Sequence, residues 1–280
     1  MMLSKIWPQI DSHSASFQVV SDLHLEVNQQ YSSFDIPVRA KHLILAGDIG
    51  RLVDYDSYRI FLERQISQFE RVFLVLGNHE FYNDTFSAGL KKAQQLESDP
   101  AMNGRLVLLH RARYDIPGTR VTILGCTLWS KIPDEAKDTV RLMIQDFRNI
   151  QDWTVDDHNA THDSDLAWLL GEINSSQTKH KAQSKKQILL VVTHHAPSTK
   201  GTSSPQYAKS PWSSAFGTDV LPRISKSVGI KAWVFGHTHY TTEFKHGQVR
   251  VVSNQRGYVL SRSDTAGAKD GFDVEKVIHV

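Results

Sequence analysis

Five short runs of aliphatic and β-branched residues recur along the chain, and each is followed at once by a polar turn. Apolar runs of this length are typical of strands that are buried on both faces of a sheet. We therefore predict strands at residues 17–20, 42–46, 72–76, 188–192 and 232–235.

Helical periodicity occupies much of the sequence between these strands. Apolar residues recur at helical spacing over residues 56–69, 85–96 and 154–173. In the third of these stretches, Thr154 and Asp157 have the spacing of a capping box, which favours a helix start. Strands that alternate with helices predict an α/β fold in which helices cover the sheet.

Three further segments are predicted as connections. Residues 174–187 are polar and basic, and we expect a solvated loop there. Residues 198–214 are rich in Ser, Pro and Lys, and a connection of this length is often a lid or a binding loop. His246-Gly247 separates two β-rich stretches and predicts a hairpin. Because no repeat or linker is evident, we expect one domain over residues 1–280.

Composition restricts the class of protein. The hydrophobic fraction of 40% and charged fraction of 22% are those of an ordinary globular protein, and a net charge of +2 gives no global field that would attract nucleic acid. Cys126 is the one cysteine and cannot form an internal disulfide, which fits a reducing compartment. No signal-peptide pattern or membrane-length apolar run is seen, so we expect a cytoplasmic protein without a membrane partner.

Metal-type side chains follow all five predicted strands. Because the carboxyl ends of parallel strands share one edge of a sheet, residues that are distant in sequence should meet there. Carboxylate, amide and imidazole groups without a thiolate suit Mn, Fe or Zn ions rather than a structural zinc site. The residues in question are Asp22, His24, Asp48, Asn78, His79, His194, His237 and His239.

The order of these residues resembles that of the calcineurin-like metallophosphoesterase superfamily, in particular its bacterial-type members with a Gly-Asn-His-Asp/Glu motif. The five matching motifs are Asp22-Leu23-His24, Gly47-Asp48, Gly77-Asn78-His79-Glu80, Thr193-His194-His195 and Gly236-His237-Thr238-His239. The resemblance implies a four-layer α/β/β/α sandwich with two central mixed β-sheets flanked by helices. It extends to residues 125–129, 146–148, 254–258 and 272–280.

The resemblance also implies roles for single residues. One divalent metal ion would be held by Asp22, His24, Asp48 and His239, and a second by Asp48, Asn78, His194 and His237. Asp48 would bridge the two ions, which would activate a water for attack on phosphorus. His79 would be the general acid for the leaving oxygen, and Glu80 would orient His79 or support the site from behind.

Other residues have competing interpretations. His195 could touch the substrate or make a structural hydrogen bond. Arg148 and Arg256 could bind phosphate, but single arginines are more often structural. Tyr82, Trp129 and Trp212 could line a pocket, although aromatic side chains usually pack in the core. The histidines without a motif are expected at the surface or at caps: His13, His42, His110, His158, His162, His180, His246 and His279.

The function implied by the resemblance is hydrolysis of a phosphoric ester, monoester or diester, with a small phosphorylated substrate favoured. A Ser/Thr protein phosphatase is the first alternative, but Asp48-Ile49-Gly50-Arg51 departs from the Asp-Arg-Gly continuation of that class. A non-catalytic scaffold is disfavoured because the full ligand set is present. A nuclease is disfavoured by the balanced charge.

Overall fold

The computed structural model describes residues 14–182, 187–207, 209–224, 229–260 and 271–280, with the backbone only for residues 177–182. Its first sheet has the strand order β11-β1-β2-β3-β4. These strands are β1 (Ser16–Val20), β2 (His42–Ala46), β3 (Arg71–Val75), β4 (Leu106–Leu108) and β11 (Val277–His279). Neighbours are parallel except β11, which pairs antiparallel with β1.

The second sheet has six strands in the order β5-β6-β7-β8-β10-β9. They are β5 (Ala112–Asp115), β6 (Val121–Cys126), β7 (Ile188–Thr193), β8 (Ile230–Phe235), β9 (Thr242–His246) and β10 (Val249–Ser253). The four inner strands are parallel, and the two edge strands β5 and β9 are antiparallel to their neighbours. Both sheets are therefore mixed, as the resemblance implied.

The described part of the chain has five α-helices. They are α1 (Tyr55–Gln68), α2 (Phe86–Ser98), α3 (Lys137–Met143), α4 (Asp146–Asn149) and α5 (Val155–Ala182). Of these, α1 and α2 pack on the first sheet and α5 on the second. Thr85 caps α2 by accepting a hydrogen bond from the Ala88 backbone N–H, at 3.2 Å. None of the described helices combines the length and the apolar character needed to cross a bilayer.

Alternation along the strands creates the four layers. In β2, Ile44 points into the core between the two sheets and Leu45 into the core beneath α1 and α2. On the other side of the molecule, Leu169 of α5 packs with Val191 of β7. The order of layers is thus helix, sheet, sheet, helix, which confirms the predicted sandwich.

The predicted elements are confirmed to within about two residues, except in one region. Helix α5 runs on to Ala182, so the loop expected from residue 174 is wrong in its first half. No Gly or Pro lies between Asn174 and Ala182, and a polar sequence without either can continue an exposed helix. The predicted hairpin is confirmed, and its turn residue Gly247 has a φ of +59°.

Candidate metal centre

The ligand candidates come together where the carboxyl ends of strands from both sheets meet. Asp22, Asp48 and Asn78 follow strands β1, β2 and β3 of the first sheet. His194 follows β7 of the second sheet and His237 follows β8, and both lie close to Asp48. The convergence predicted for one sheet edge is therefore achieved by two sheets packed face to face.

The first group consists of Asp22, His24, Asp48 and His239, whose ligand atoms all lie within 4.8 Å of one another. His24 Nε2 is 2.8 Å from His239 Nε2. His24 Nδ1 lies 3.2 Å from the Glu26 carboxylate, which requires its hydrogen there and leaves Nε2 as a bare lone pair. The Nε2 lone pair of His24 thus points at a nitrogen of His239, and a cation between the two rings would stabilise this arrangement.

The second group consists of Asp48, His194 and His237, again within 4.8 Å of one another. His194 Nδ1 donates to the Ala46 carbonyl at 2.9 Å, which leaves Nε2 facing Asp48 Oδ2 at 3.4 Å. His237 Nε2 lies 3.3 Å from the Ala215 carbonyl, so Nδ1 is the free acceptor of that ring.

Asn78 joins the second group through its amide oxygen. The Asn78 Oδ1 atom lies 3.1 Å from His194 Nε2. Its Nδ2 donates to Asp146 Oδ1 at 2.8 Å, and Asp146 also accepts from the Tyr82 hydroxyl at 2.7 Å. Asp146 therefore fixes the orientation of the Asn78 amide, with the oxygen toward the ligand cluster.

Left-handed backbone is concentrated in these turns. Only a few per cent of non-glycine residues have positive φ, and a cluster of them marks a site where the surrounding structure imposes strain for a function. Five ligand candidates have this conformation, with φ from 47° to 72°: Asp22, His24, Asp48, His237 and His239.

Two motif glycines have no room for a side chain. A Cβ at Gly77 would collide with Asp48 Oδ1, and a Cβ at Gly236 would collide with the Ser21 hydroxyl and Asp22. The glycine before each ligand turn therefore permits the close approach of two turns, which explains the residue type that the sequence shows at these places.

The charges of the cluster favour a cation. Burial raises the pKa of Asp22 to about 7, and the nearby charge of Asp48 raises it further while His194 opposes the shift. Burial and the neighbouring imidazoles lower the pKa of His237 well below its usual value and that of His239 to about 3. His237 and His239 are thus neutral, the form in which imidazole binds metal. His194 differs, because Asp48 outweighs the effect of burial and raises the pKa of His194 to about 10, so this ring would release a proton when a cation binds.

His79 lies at the edge of the cluster between two partners. Its Nδ1 is 2.9 Å from Glu26 Oε1, and its Nε2 is 2.9 Å from the Tyr258 hydroxyl. Burial lowers the pKa of His79, but Asp48 and Glu26 outweigh it and raise the pKa to about 9. An open cleft is lined by Asp48, His79, His237 and His239. A protonated imidazole at the position of His79 can donate its proton toward this cleft.

Glu80 does not orient His79, contrary to one of the two roles expected for it. Its carboxylate accepts hydrogen bonds from the backbone N–H groups of Asp48 (2.9 Å), Ile49 (2.8 Å) and Gly77 (2.7 Å) and from the Tyr58 hydroxyl (3.0 Å). It supports the site from behind, because it ties the two turns that carry Asp48 and Asn78 together.

None of the three possible substrate contacts is among the described residues that line the cleft. Arg148 is exposed and donates to the Leu142 carbonyl. Arg256 donates to the Leu23 carbonyl and to Gln30, which ties two loops together. The ring of His195 is fully buried, neither of its nitrogens has a hydrogen-bond partner among the described residues, and it packs 3.9 Å from the His237 ring.

Several unassigned histidines are buried rather than exposed. His42, His158 and His162 are at most 7% exposed. His246 and His279 are exposed, as expected, whereas His13 and the side chain of His180 lie outside the described residues. Of the aromatic candidates, Tyr82 and Trp212 line the cleft and Trp129 is in the core.

Sequence reasoning gave no role to Glu26, Asp146 or Tyr258, although all three contact the site. Glu26 lies two residues after His24, a spacing that signals proximity only once the left-handed turn is known. Asp146 and Tyr258 fall in stretches that resemble the family, and that resemblance was the one available signal.

The fold and the clustered carboxylates and imidazoles define a metal-dependent phosphoester hydrolase. The sequence model of the calcineurin-like phosphoesterase family matches residues 16–241, and the chain belongs to that family, whose members use dinuclear metal centres. The family assignment predicted from the motifs is thus confirmed.

Individual relatives are distant. An uncharacterized protein of Acanthamoeba polyphaga mimivirus is 27% identical over 277 residues, covering 88% of this chain and 92% of the relative. A phosphopantetheinyl hydrolase from Mycobacterium tuberculosis shares the fold with a TM-score of 0.61 at 16% identity, over 89% of this chain and 91% of that one. A dimetal phosphatase from Danio rerio matches with a TM-score of 0.50 at 14% identity, over 85% and 86%.

Proposed function

We propose that this chain hydrolyses small phosphate esters with a pair of divalent cations bridged by Asp48. The observation that carries the proposal is that two groups of ligand atoms, each within 4.8 Å, share this one carboxylate. The first cation would be held by Asp22, His24, Asp48 and His239, and the second by Asp48, Asn78, His194 and His237.

The residues present fit such a pair of ions. Oxygen and imidazole ligands without thiolate favour Mn, Fe or Zn. When bound, two such cations supply a water of lowered pKa and neutralise the charge on the phosphate oxygens. The protein contributes ligands whose orientation is fixed in advance, because Ala46, Glu26 and Asp146 each hold the far side of one of them.

His79 is the proposed general acid. The attacking water would first lose one proton to solvent. As its oxygen bonds to phosphorus, the ester P–O bond would break and the leaving oxygen would take the proton from His79 Nε2. The hydroxyl of Tyr258 lies 2.9 Å from that nitrogen, so Nε2 faces the part of the cleft that Tyr258 lines. Glu26 holds the opposite nitrogen of the ring and so keeps Nε2 directed toward the substrate.

The test is metal removal and reconstitution. We expect chelated protein to be inactive and to recover hydrolysis of 4-nitrophenyl phosphate or bis(4-nitrophenyl) phosphate on addition of Mn, Fe or Zn, with about two ions bound per chain. The ratio of the two activities distinguishes a monoesterase from a diesterase. Phosphopantetheine belongs in the same panel, because one solved structure of this fold is described as a phosphopantetheinyl hydrolase.

The result that contradicts the proposal is equally specific. Protein that retains two ions but hydrolyses neither nitrophenyl ester nor phosphopantetheine would be a non-catalytic scaffold. Faster release of phosphate from a phosphoserine peptide than from every small ester would instead indicate the protein phosphatase alternative.

A further inference from the structure

The candidate metal centre is the floor of a cleft of about 470 Å³. A phosphate group fills only a small part of such a volume, which is within the range of pockets that hold a whole organic ligand. The remaining space is bounded by residues 143–145 at the end of α3 and by residues 203–207 and 209–216. We refer to these two segments, together with Tyr258, as the cleft wall.

Charge is distributed unevenly over this cleft. The charged and imidazole side chains that line it all belong to its floor: Asp48, Asp146, His79, His237 and His239. The wall is lined by hydroxyl, amide, aromatic and aliphatic groups, and no Lys or Arg occurs among the described lining residues. A charged group on the substrate beyond the phosphate would thus find no partner on the described wall, and its burial would cost free energy.

Exposed apolar side chains are concentrated at the same place. Of the six large hydrophobic residues that are strongly exposed in the described part of the chain, three line the cleft: Met143 (50%), Tyr207 (55%) and Tyr258 (42%). Leu142 and Leu260 are close in sequence to Met143 and Tyr258, and only Ile60 lies elsewhere. Apolar surface gathered beside a catalytic floor is typical of a ligand-binding groove.

The wall is continuous with the reacting groups. Tyr258 contacts His79 Nε2 through its hydroxyl. The Phe216 ring lies 4.9 Å from the ring of His237. A leaving oxygen that accepts the proton of His79 would therefore carry its organic group directly onto the wall.

We propose that the cleft wall binds the alcohol portion of the substrate and selects a neutral, apolar alcohol, aromatic or extended aliphatic. This inference rests on the proposed function, because it assigns the wall to the leaving group of the same reaction. The side chains that make the selection are Met143, Ile144, Tyr207, Trp212, Phe216 and Tyr258.

The test compares esters that differ only at the far end of one alcohol. The panel consists of hexyl, 6-aminohexyl, 5-carboxypentyl and 4-phenylbutyl phosphate, each as the monoester and as its methyl diester. Because the leaving oxygens are chemically similar, differences in kcat/KM measure how the far end of each alcohol interacts with the cleft wall. We expect the two neutral esters to exceed both charged ones by about tenfold, mainly through KM.

A variant and a matched control assign the preference to the wall. The double variant Met143→Ser with Tyr207→Ser should lose most of the tenfold preference, because it removes two of the apolar side chains that line the wall. Ile60→Ser removes an equally exposed apolar side chain outside the cleft and should keep the preference. A preference that the double variant retains would overturn the inference.

Binding separates this inference from the proposed function. The hexyl and 6-aminohexyl phosphonates cannot be hydrolysed, and their Kd values for Mn-loaded protein can be measured by calorimetry. If no ester is hydrolysed but hexylphosphonate binds about tenfold tighter than 6-aminohexylphosphonate, the inference about the wall holds and the proposed function fails. If all esters react equally and both phosphonates bind equally, the function stands and the wall inference is overturned.

Discussion

The two ends of strand β2 place buried titratable side chains in different surroundings. His42, at the amino end, packs against the rings of Phe17 and Phe73 with centroids 5.5 and 6.0 Å away. Its Nδ1 has no hydrogen-bond partner among the described residues, and burial lowers its pKa to about 4. There the imidazole is a core side chain that stays neutral.

At the carboxyl end of the same strand, Asp48 is as deeply buried but lies among polar partners. It accepts the His79 backbone N–H at 2.9 Å and faces the imidazoles of His24 and His194. Position in the sheet, more than residue type, therefore determines what a buried ionisable group does. At the carboxyl ends, turns from five strands bring such groups together, whereas at the amino end the ring of His42 packs against two phenylalanine rings.

The largest effect should follow from removing the charge at the carboxyl end. We expect Asp48→Asn to lower kcat by roughly a thousandfold or more and to reduce bound metal below two ions per chain, because both ligand groups lose their shared anion. Elemental analysis and steady-state kinetics measure the two quantities. Asp56→Asn, an exposed carboxylate on α1, is the matched control, and two retained ions with normal kcat in Asp48→Asn would refute the bridging role.

His79→Ala should separate chemistry from metal binding. We expect kcat to fall by about 10²–10⁴-fold while both ions remain, because the lost group donates a proton and holds no ion. The loss should be larger for alkyl phosphates than for nitrophenyl phosphates, since nitrophenolate leaves without protonation. Equal losses for both classes of ester would contradict the role of His79 as the acid.

His42→Phe tests the amino end of the comparison. Because the pKa of His42 is lowered to about 4, the unfolded chain binds a proton between pH 6.5 and 4 that the folded chain does not, and stability falls as the pH falls through this window. By pH 5 this one group should cost about 2 kcal/mol of unfolding free energy, and the phenylalanine variant should be spared that loss. Urea unfolding of the metal-free parent protein and variant at pH 7 and pH 5 measures this change in unfolding free energy.

The control for that experiment is His246→Phe, which replaces an exposed histidine of β9 and should leave the difference between the two pH values unchanged. A loss of stability on acidification that is the same in His42→Phe and the parent protein would show that His42 is not the acid-sensitive group inferred from its packing.

The smallest effect is expected at Glu26, which accepts hydrogen bonds from both His24 and His79. With metal saturating, we expect Glu26→Gln to lower kcat by roughly tenfold in the parent protein and by less than about twofold in His79→Ala, because Glu26 acts through the ring it positions. Equal losses in the two backgrounds would indicate a general structural role. Glu63→Gln on α1 is the control.

Much of this arrangement could be predicted from the sequence, because the strands are nearly continuous apolar runs and the ligands follow them directly. The contacts that hold the ligand candidates in place could not be predicted in this way. Asp146 lies 68 residues from Asn78 along the chain, and only the packing of α4 brings the two together. Glu80 stands beside His79 in sequence, yet the turn directs its carboxylate to backbone amides, so adjacency suggested the wrong partner.

Anomalous diffraction from crystals of the Mn-loaded protein would show directly whether Asp48 bridges two ions. We expect two Mn peaks about 3.5–4 Å apart, with Asp48 bound to both and His24 and His194 bound to different ions. One peak alone, or peaks that Asp48 does not contact, would contradict the bridging role of Asp48.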